Sequence, residues 1–244
     1  MIIAICNQKG GVGKTATAQS LATAPGRKTL AVDADPQANL SFSMGGNFMG
    51  AGTYELITGR ATAADLIQTT EQGDIITASG RLALVNDEFK DDENAHKHLR
   101  EALQPLKDSY DYIVIDCPPA LNILLINALC AADKVIIPVT ADAYSEQGLY
   151  ALAPNLRGAQ QLNPNLQIGG VLFTKYTTRT IQDRDEAEAI RESCRVLDLP
   201  IYDTTIRGAT AMRVSQTRRK SIFDYAPRSY PAQDYLQLIN ELGI

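Results

Sequence analysis

Residues 8–17 read QKGGVGKTAT and follow the apolar run MIIAIC after one residue, Asn7. In glycine-rich loops that end in Gly-Lys-Thr, backbone N–H groups surround a phosphate, the lysine (here Lys14) contacts the β- and γ-phosphates, and the threonine (Thr15) binds Mg²⁺. The usual pattern G-x-x-x-x-G-K-[ST] needs glycine at position 8, where this chain has Gln8, and the loop carries a second lysine, Lys9. The loop therefore predicts a phosphate site, and the pattern alone leaves the role of Lys9 open.

Three carboxylates follow predicted strands and support the phosphate site. The segment AVDADPQAN contains Asp33 and Asp35, and IVIDCPPALN contains Asp116. A single aspartate after a strand is most often a helix cap or turn residue. Three of them in one sheet with a phosphate loop instead match the position where a carboxylate holds Mg²⁺ or its water shell. The sequence thus predicts a triphosphate, a divalent cation and carboxylates that position water.

A strongly basic stretch lies near the C-terminal end of an otherwise acidic chain. Residues 206–229 carry six basic side chains against one acid, Asp224, while the net charge of the chain is −5. Basic residues on a helix surface neutralise DNA phosphates without reading sequence, although a solvated helix face would show the same composition. The segment predicts either a local DNA-binding patch or such a solvated face. Its basic residues are Arg207, Arg213, Arg218, Arg219, Lys220 and Arg228.

The elements that must position these residues alternate along the chain. Strands that are apolar throughout, separated by helices, predict an α/β fold with a mostly parallel twisted sheet and helices on both faces. Ligands of such sheets bind beyond the carboxyl ends of the strands, so the segments after strands should carry the chemistry. The predicted strands are 2–6, 29–33, 111–116, 134–139, 169–174 and 200–206. The predicted helices are 14–24, 94–106, 121–132, 145–162, 180–197 and 229–242. The segments after strands are 7–15, 33–39, 116–122, 140–145 and 174–179.

The chain is predicted to form one domain over residues 1–244. A small helical insertion is expected at about 43–106, and its glycine-rich beginning, 43–60, is expected to be a mobile loop. The basic C-terminal helical region spans about 207–244. No repeat, low-complexity linker or change of composition indicates a second domain.

Composition excludes several classes of protein. Hydrophobic residues make up 45% and charged residues 21% of the chain, as in ordinary globular proteins. No apolar stretch approaches the roughly 20 residues of a membrane span, and MIIAIC lacks the basic flank and cleavage site of a signal peptide. The four cysteines lack C-x-x-C spacing, which predicts reduced thiols in a cytoplasmic protein. They are Cys6, Cys117, Cys130 and Cys194.

Three of these motifs resemble those of a known family. KGGVGKT, DADPQAN and DCPPALN are similar to the deviant Walker A loop, switch I and switch II of the ParA/Soj-type DNA-partitioning ATPases, members of the MinD/ParA superfamily of P-loop NTPases. The resemblance continues through TYELITG, NALCAADKVIIPV, GVLFTKY and SIFDYAPRSYPAQDYLQL, so it covers essentially the whole chain. It implies the deviant Walker A type of P-loop fold, with ATP, ADP and Mg²⁺ as ligands.

The resemblance also implies roles for individual residues. Lys9 matches the signature lysine, which reaches across a nucleotide-sandwich homodimer to the phosphates of the partner. Asp35 should orient the attacking water, while Asp33 and Asp116 should hold Mg²⁺ through water together with the Thr15 hydroxyl. The implied catalytic residues are Lys9, Lys14, Asp35 and Asp116. The implied nucleotide-binding residues are Lys9, Gly10, Gly11, Val12, Gly13, Lys14, Thr15, Ala16, Thr174 and Arg207.

The implied function is ATP-dependent DNA segregation. An ATP-bound dimer would bind double-stranded DNA nonspecifically, and a ParB-like centromere-binding partner would stimulate its slow, Mg²⁺-dependent hydrolysis. The protein is then expected in the cytoplasm on the nucleoid, with no membrane partner. The implied DNA-binding residues are Arg213, Arg218, Arg219 and Lys220.

Two other members of the superfamily remain as alternatives. A MinD-type membrane-positioning ATPase needs a basic amphipathic helix at its C-terminal end, whereas no lysine or arginine follows Arg228 in this sequence. A relative of the nitrogenase iron protein needs paired cysteines that bridge a dimer. The chain also departs from the ParA pattern at Ala16, where many relatives have a hydroxyl for the α-phosphate, and at Ala38, where glycine is common.

Overall fold

Eight strands form one sheet in the part of the chain that the computed structural model describes, residues 1–177 and 180–244. The strands are β1 (Ile2–Ile5), β2 (Thr29–Asp33), β3 (Gln68–Thr70), β4 (Gly73–Ile76), β5 (Tyr112–Asp116), β6 (Lys134–Val139), β7 (Gln167–Tyr176) and β8 (Ile206–Arg207). Their order across the sheet is β3-β4-β2-β5-β1-β6-β7-β8, and each neighbouring pair is parallel except β3 with β4.

Helices occupy most of the connections between strands. They are α1 (Lys14–Ala22), α2 (Asn39–Ser43), α3 (Thr53–Ile57), α4 (Ala63–Leu66), α5 (Val85–Glu88), α6 (His98–Leu103), α7 (Ile123–Ala131), α8 (Ala143–Leu162), α9 (Ile181–Leu197), α10 (Thr210–Thr217), α11 (Ile222–Tyr225) and α12 (Tyr230–Leu242). Short 3₁₀ turns lie at Gly80–Leu84, Ala95–Lys97 and Gln104–Leu106. Among the described residues, no helix combines the length and apolar character needed to span a bilayer.

The sheet is covered on both faces, because successive strand residues point to opposite sides. In β1, Ile2 and Ala4 belong to one hydrophobic core, whereas Ile3 and Ile5 belong to the other. Helices α7, α8 and α9 contribute to the first core, and α1, α2 and α12 contribute to the second. This arrangement confirms the predicted α/β class with helices on both faces.

Strand register places the functional segments at one edge. Strands β1 and β2 both pair with β5, so that Asp33 at the end of β2 lies directly opposite Asp116 at the end of β5. The loop after β1 therefore begins beside both carboxylates. The carboxyl ends of β6 and β7 lie on the other side of β1, as the parallel order requires.

Two predicted segments differ from the structure. The region 43–106 contains β3 and β4 in addition to helices, and α3 lies within its glycine-rich start, 43–60, which was expected to be a loop. The predicted strand 200–206 is reduced to a single bridge between Ile201 and Val171 and to β8. Between them, the backbone N–H groups of Asp203 and Thr204 donate to the Glu241 carboxylate instead of to a strand. Within the predicted segment 174–179, Thr178 and Arg179 lie outside the described residues.

Candidate functional site

The glycine-rich loop connects β1 to α1 in a conformation that needs its glycines. Gly11 has φ 75° and Gly13 has φ 88°, in the left-handed region where residues with a Cβ are strained. Gly13 is also the residue that precedes α1, and the Lys14 ammonium group donates to the Lys9 carbonyl oxygen at 3.1 Å. The loop thus presents its backbone at the positive end of a helix, where anions bind.

A cavity of about 660 Å³ opens beside this loop. It brings together nearly all the residues predicted to bind nucleotide, although these lie on three different parts of the chain. Val12 is buried beneath the loop, and its carbonyl oxygen accepts a hydrogen bond from Thr174 Oγ1 at 2.7 Å. The predicted residues that line the cavity are Gly10, Gly11, Gly13, Lys14, Thr15, Ala16, Asp35, Thr174, Arg207 and Arg213.

Two carboxylates lie fully buried behind the loop. Asp33 accepts hydrogen bonds from the Ser41 N–H at 2.8 Å and the Ser41 hydroxyl at 2.7 Å. Asp116 Oδ2 accepts from Thr15 Oγ1 at 2.7 Å, and Asp116 Oδ1 is buried without a hydrogen-bond partner among the described residues. Burial raises the pKa of Asp33 to about 6. Burial, followed by the neighbouring charge of Asp33, also raises the pKa of Asp116 well above its usual range.

This arrangement fits a divalent cation. A buried carboxylate oxygen without a donor, next to a second carboxylate and a threonine hydroxyl, is a set of oxygen atoms that Mg²⁺ favours. Thr15 and Asp116 would hold the ion, and Asp33 would support its water shell from behind. The described residues contain no cluster of three His, Cys, Asp or Glu side chains able to bind a metal by themselves. The remaining ligands would therefore be phosphate oxygens and water.

Asp35 stands nearer to the cavity than Asp33 or Asp116. Its side chain lines the cavity, and its Oδ1 accepts from the Gln37 N–H at 3.0 Å. The turn that follows brings Ala38 into the left-handed region with φ 53°, immediately before α2. This conformation explains why glycine suits the position, since a residue with a Cβ loses about 1 kcal/mol there.

Lys9 is bound within its own chain. Its ammonium group donates to both carboxylate oxygens of Asp142, which precedes α8, and to Ser145 Oγ at 3.2 Å. The ring of the exposed Tyr144 lies 5.9 Å from the same ammonium group. The predicted contact of Lys9 with a second subunit stays a prediction, because these contacts are those of a single chain.

The basic C-terminal residues divide into two groups. Arg213 on α10 lines the cavity beside the glycine-rich loop, whereas Arg218 and Lys220 are exposed after that helix. Arg219 has φ 52° and places its guanidinium group 4.6 Å from the ring of Phe42 on α2. Only part of the predicted patch therefore faces away from the cavity.

Arg207 lines the cavity but its guanidinium group is already paired. It donates to Asp234 Oδ1 at 2.6 Å and lies 4.0 Å from the Tyr230 ring. Asp234 is almost fully buried on α12 and also accepts from the Arg207 N–H at 2.8 Å. The side chain of Arg207 thus ties β8 to α12, and only its remaining surface is available to a ligand.

The predicted site residues omitted three that the structure brings to the loop. Asp142 binds Lys9, Ser41 binds Asp33, and Lys175 Nζ donates to the Gly11 carbonyl oxygen at 2.6 Å. The sequence did offer a signal for two of them. Asp142 lies shortly after β6 and Lys175 lies at the end of β7, where ligand-binding residues of a parallel sheet are expected. Ser41 gave no such signal, because its role depends on the packing of α2 against β2.

The cysteines do not present a bridging site. All four are buried, and Cys117 is fully enclosed beside Asp116. Burial raises the pKa of the Cys117 thiol well above its usual range, so this thiol stays protonated. The geometry of Cys117 therefore gives no support to the iron-protein alternative.

Comparisons of the sequence with known proteins match over nearly its whole length. A family model described as "AAA domain" matches residues 1–168. The sporulation initiation inhibitor protein Soj of Bacillus subtilis is 37% identical over 250 residues, covering 99% of this chain and 98% of that protein. The chromosome-partitioning ATPase Soj of Treponema pallidum is 34% identical over 97% of this chain and 94% of its own length. The similarity therefore includes both the loop and the C-terminal helices.

Solved structures share the same fold. Cobyrinic acid a,c-diamide synthase from Mycobacterium smegmatis, with bound ADP and magnesium, has a TM-score of 0.85 at 29% identity, covering 99% of this chain and 93% of that one. The septum site-determining protein MinD from Pyrococcus horikoshii, complexed with Mg-ADP, has a TM-score of 0.77 at 27% identity, covering 99% and 95%. Both proteins hold a magnesium–nucleotide complex on this type of fold.

Proposed function

Since this chain belongs to the Soj/ParA family of chromosome-partitioning ATPases, we propose that it uses ATP binding and hydrolysis to control its own attachment to DNA. The observation that carries the nucleotide part of this proposal is the unpartnered, buried Oδ1 of Asp116. That oxygen lies next to Thr15 at the start of α1, where a magnesium–triphosphate complex would complete its coordination.

The residues at the cavity have two roles in hydrolysis: some bind the phosphates, and one positions the attacking water. The loop N–H groups and Lys14 would hold the phosphates. Thr15 and Asp116 would hold Mg²⁺, which would supply positive charge at the phosphates. Asp35, which lines the cavity, orients the water for in-line attack on the γ-phosphate. This chemistry depends on positioning more than on covalent steps. Turnover is therefore slow when a cation that should contact the phosphates is absent.

We propose that Lys9 supplies the missing group to a second copy of the chain. A triphosphate with one Mg²⁺ and Lys14 remains anionic, so a further cation in a water-poor interface is strongly favourable. In the single chain, Asp142 holds this lysine. Formation of the ATP-bound homodimer then exchanges an intramolecular ion pair for a contact with the phosphates of the partner.

The DNA part of the proposal is supported by charge and exposure. Arg218 and Lys220 are exposed directly after α10, and this helix also carries Arg213 at the nucleotide cavity. One helix thereby connects the nucleotide to the patch that contacts DNA phosphates. We further propose that the protein associates with the nucleoid and that a ParB-like centromere-binding partner stimulates hydrolysis.

The test measures mass and DNA retention of the same sample. Light scattering after size exclusion, with Mg-ATP, Mg-ADP or no nucleotide, should show a dimer with Mg-ATP, and only that state should retain nonspecific duplex at moderate salt. A monomer in all three conditions would overturn the dimer, and DNA retention independent of nucleotide would overturn the switch.

The similarity to MinD supports a second candidate, a membrane-positioning ATPase. The apolar side of α12 packs into the second hydrophobic core, through residues such as Tyr235 and Leu238, and is therefore engaged in the fold. Sedimentation with liposomes of anionic lipid separates the two functions. ATP-dependent sedimentation would favour the membrane candidate over DNA binding.

A further inference from the structure

Two consecutive residues at the end of β7 both bind carbonyl groups of the glycine-rich loop. Thr174 Oγ1 donates to the Val12 carbonyl oxygen at 2.7 Å and to the Val139 carbonyl oxygen at 3.0 Å. Lys175 Nζ donates to the Gly11 carbonyl oxygen at 2.6 Å. In a regular strand, neighbouring side chains point to opposite faces of the sheet, so this arrangement needs a local cause.

The cause is a β-bulge at Lys175. Thr174 pairs with Ile206 and Tyr176 pairs with Arg207, so β7 has one extra residue against β8. Lys175 is that residue, and its φ of 50° lies in the left-handed region. A bulge re-aims a side chain and occurs often beside active sites. Here it turns the lysine to the same side as Thr174, toward the loop.

Neighbouring backbone lies beside the bulge. A Cβ on Gly208 would be in ordinary van der Waals contact with Lys175, at 3.4 Å from its Cα and 3.6 Å from its carbonyl oxygen, so the chain after β8 runs alongside this residue. A left-handed conformation at a residue with a Cβ persists only where the surrounding structure enforces it, and such residues cluster at ligand sites. Lys175 also lines the nucleotide cavity.

The hydrogen bonds to the two carbonyl groups fix the orientation of two peptide groups. A trans peptide is planar, so its N–H points away from its C=O. Holding the Gly11 carbonyl directs the Val12 N–H to the opposite side, and holding the Val12 carbonyl directs the Gly13 N–H in the same way. These N–H groups belong to the part of the loop that surrounds a phosphate in P-loop proteins.

We propose that Lys175 is a positioning residue for the polyphosphate of the nucleotide: it holds the Gly11 carbonyl outward, so that the loop N–H groups are oriented for the phosphates before the nucleotide arrives. Its charge adds to that of Lys14 at the cavity. This inference rests on the proposed nucleotide function and adds a residue of this chain to the phosphate site.

The test compares ligands that differ in the number of phosphates. Wild type, Lys175→Met and Lys175→Arg are each titrated calorimetrically with Mg-ADP and with AMP. The comparison shows whether a loss of binding affinity depends on the second phosphate. Lys175→Met should weaken ADP binding about tenfold, as expected for one charge-assisted hydrogen bond, and should affect AMP much less. Lys175→Arg should recover most of the ADP affinity.

A matched control is Lys90→Met, which removes one exposed lysine outside the cavity and should bind both ligands like wild type. The melting temperature of the nucleotide-free chain reports any purely structural effect. Equal losses for ADP and AMP, or a lowered melting temperature with an unchanged ratio of the two affinities, would overturn the inference. If wild type itself fails to bind ADP, the proposed function is wrong. If Lys175→Met binds ADP as tightly as wild type, only the inference about Lys175 is wrong.

Discussion

The ammonium group of Lys9 donates to both carboxylate oxygens of Asp142. Burial raises the pKa of Asp142, but hydrogen bonds from Lys9 and Thr140 and the charge of Lys9 outweigh this effect and lower it overall. Asp142 also accepts from the N–H groups of Tyr144 and Ser145 and so caps α8. The extra lysine of the glycine-rich loop is therefore engaged within its own chain when no partner is present.

Replacing Asp142 by Asn should favour the ATP-bound dimer. Asparagine still caps the helix but lacks the charge that holds Lys9. A partly exposed ion pair contributes about 1 kcal/mol or less. Each dimer forms from two chains that both release Lys9, so dimerisation with Mg-ATP should strengthen by up to about 30-fold. Sedimentation equilibrium at several protein concentrations measures the change.

The matching control for this prediction is the double variant Asp142→Asn, Lys9→Gln. The double variant should be monomeric with ATP, because the lysine that would contact the phosphates of the partner is missing. If Asp142→Asn dimerises more weakly than wild type, then the pair stabilises the dimerising conformation, and the exchange of partners proposed for Lys9 is wrong.

Asp35→Ala should bind ATP and dimerise but hydrolyse poorly. Its carboxylate lines the cavity and is the proposed group that orients the attacking water. Loss of such a group reduces turnover about 100-fold or more, while ATP affinity should change little. Phosphate release and ATP titration measure the two quantities, with the exposed Asp108→Ala as control. Turnover at the wild-type rate would remove Asp35 from this role.

Charge reversal after α10 should separate DNA binding from hydrolysis. Arg218→Glu with Lys220→Glu changes exposed residues outside the cavity, so ATP-dependent retention on duplex DNA should be lost while basal ATPase activity persists. Arg219→Glu should abolish DNA binding in the same way, and it also removes the contact with Phe42. Lys97→Glu with Arg100→Glu, two exposed residues outside the cavity, is the control of equal charge change for the double variant. Retention of DNA by the double variant at moderate salt would place the DNA site elsewhere.

Asp116→Asn should stabilise the metal-free chain at neutral pH. The pKa of Asp33 rises from 3.8 to about 6 in the folded state, so the folded chain holds protons that the unfolded chain has lost, and stability falls as pH rises through this window. Asp116 shifts in the same direction. Removing its charge should therefore raise the free energy of unfolding near pH 7.5.

Thermal unfolding without Mg²⁺ at about pH 5 and pH 7.5 measures this effect. The advantage of Asp116→Asn should shrink at the lower pH, where the wild-type carboxyls are protonated. Mg-ADP should stabilise wild type more than the variant. An Asn variant that is less stable than wild type at pH 7.5 would contradict the raised pKa values.

Local patterns were sufficient to predict the main strands and the glycine-rich loop between β1 and α1. Strands β1, β2, β5, β6 and β7 are largely apolar runs with polar residues at or just after their ends, so the position of these strands and the edge that carries the candidate site could be predicted. The short strands β3 and β4 could not be predicted. They have only three and four residues, without a long apolar run, and they form strands only because they pair with each other and with β2. The predicted strand 200–206 failed for a related reason, since a distant carboxylate, Glu241, takes its N–H groups.

The sequence by itself determined the chemistry of this protein: a glycine-rich loop with two lysines, carboxylates after strands, and a basic C-terminal segment. These are local properties, because a loop conformation or a strand end depends on a few neighbouring residues. Only the tertiary structure decided which groups meet, namely Lys9 with Asp142, Lys175 with the Gly11 carbonyl, and Arg213 with the nucleotide cavity. Such pairs join residues separated by more than 100 positions, and only the order of strands in the sheet brings them together.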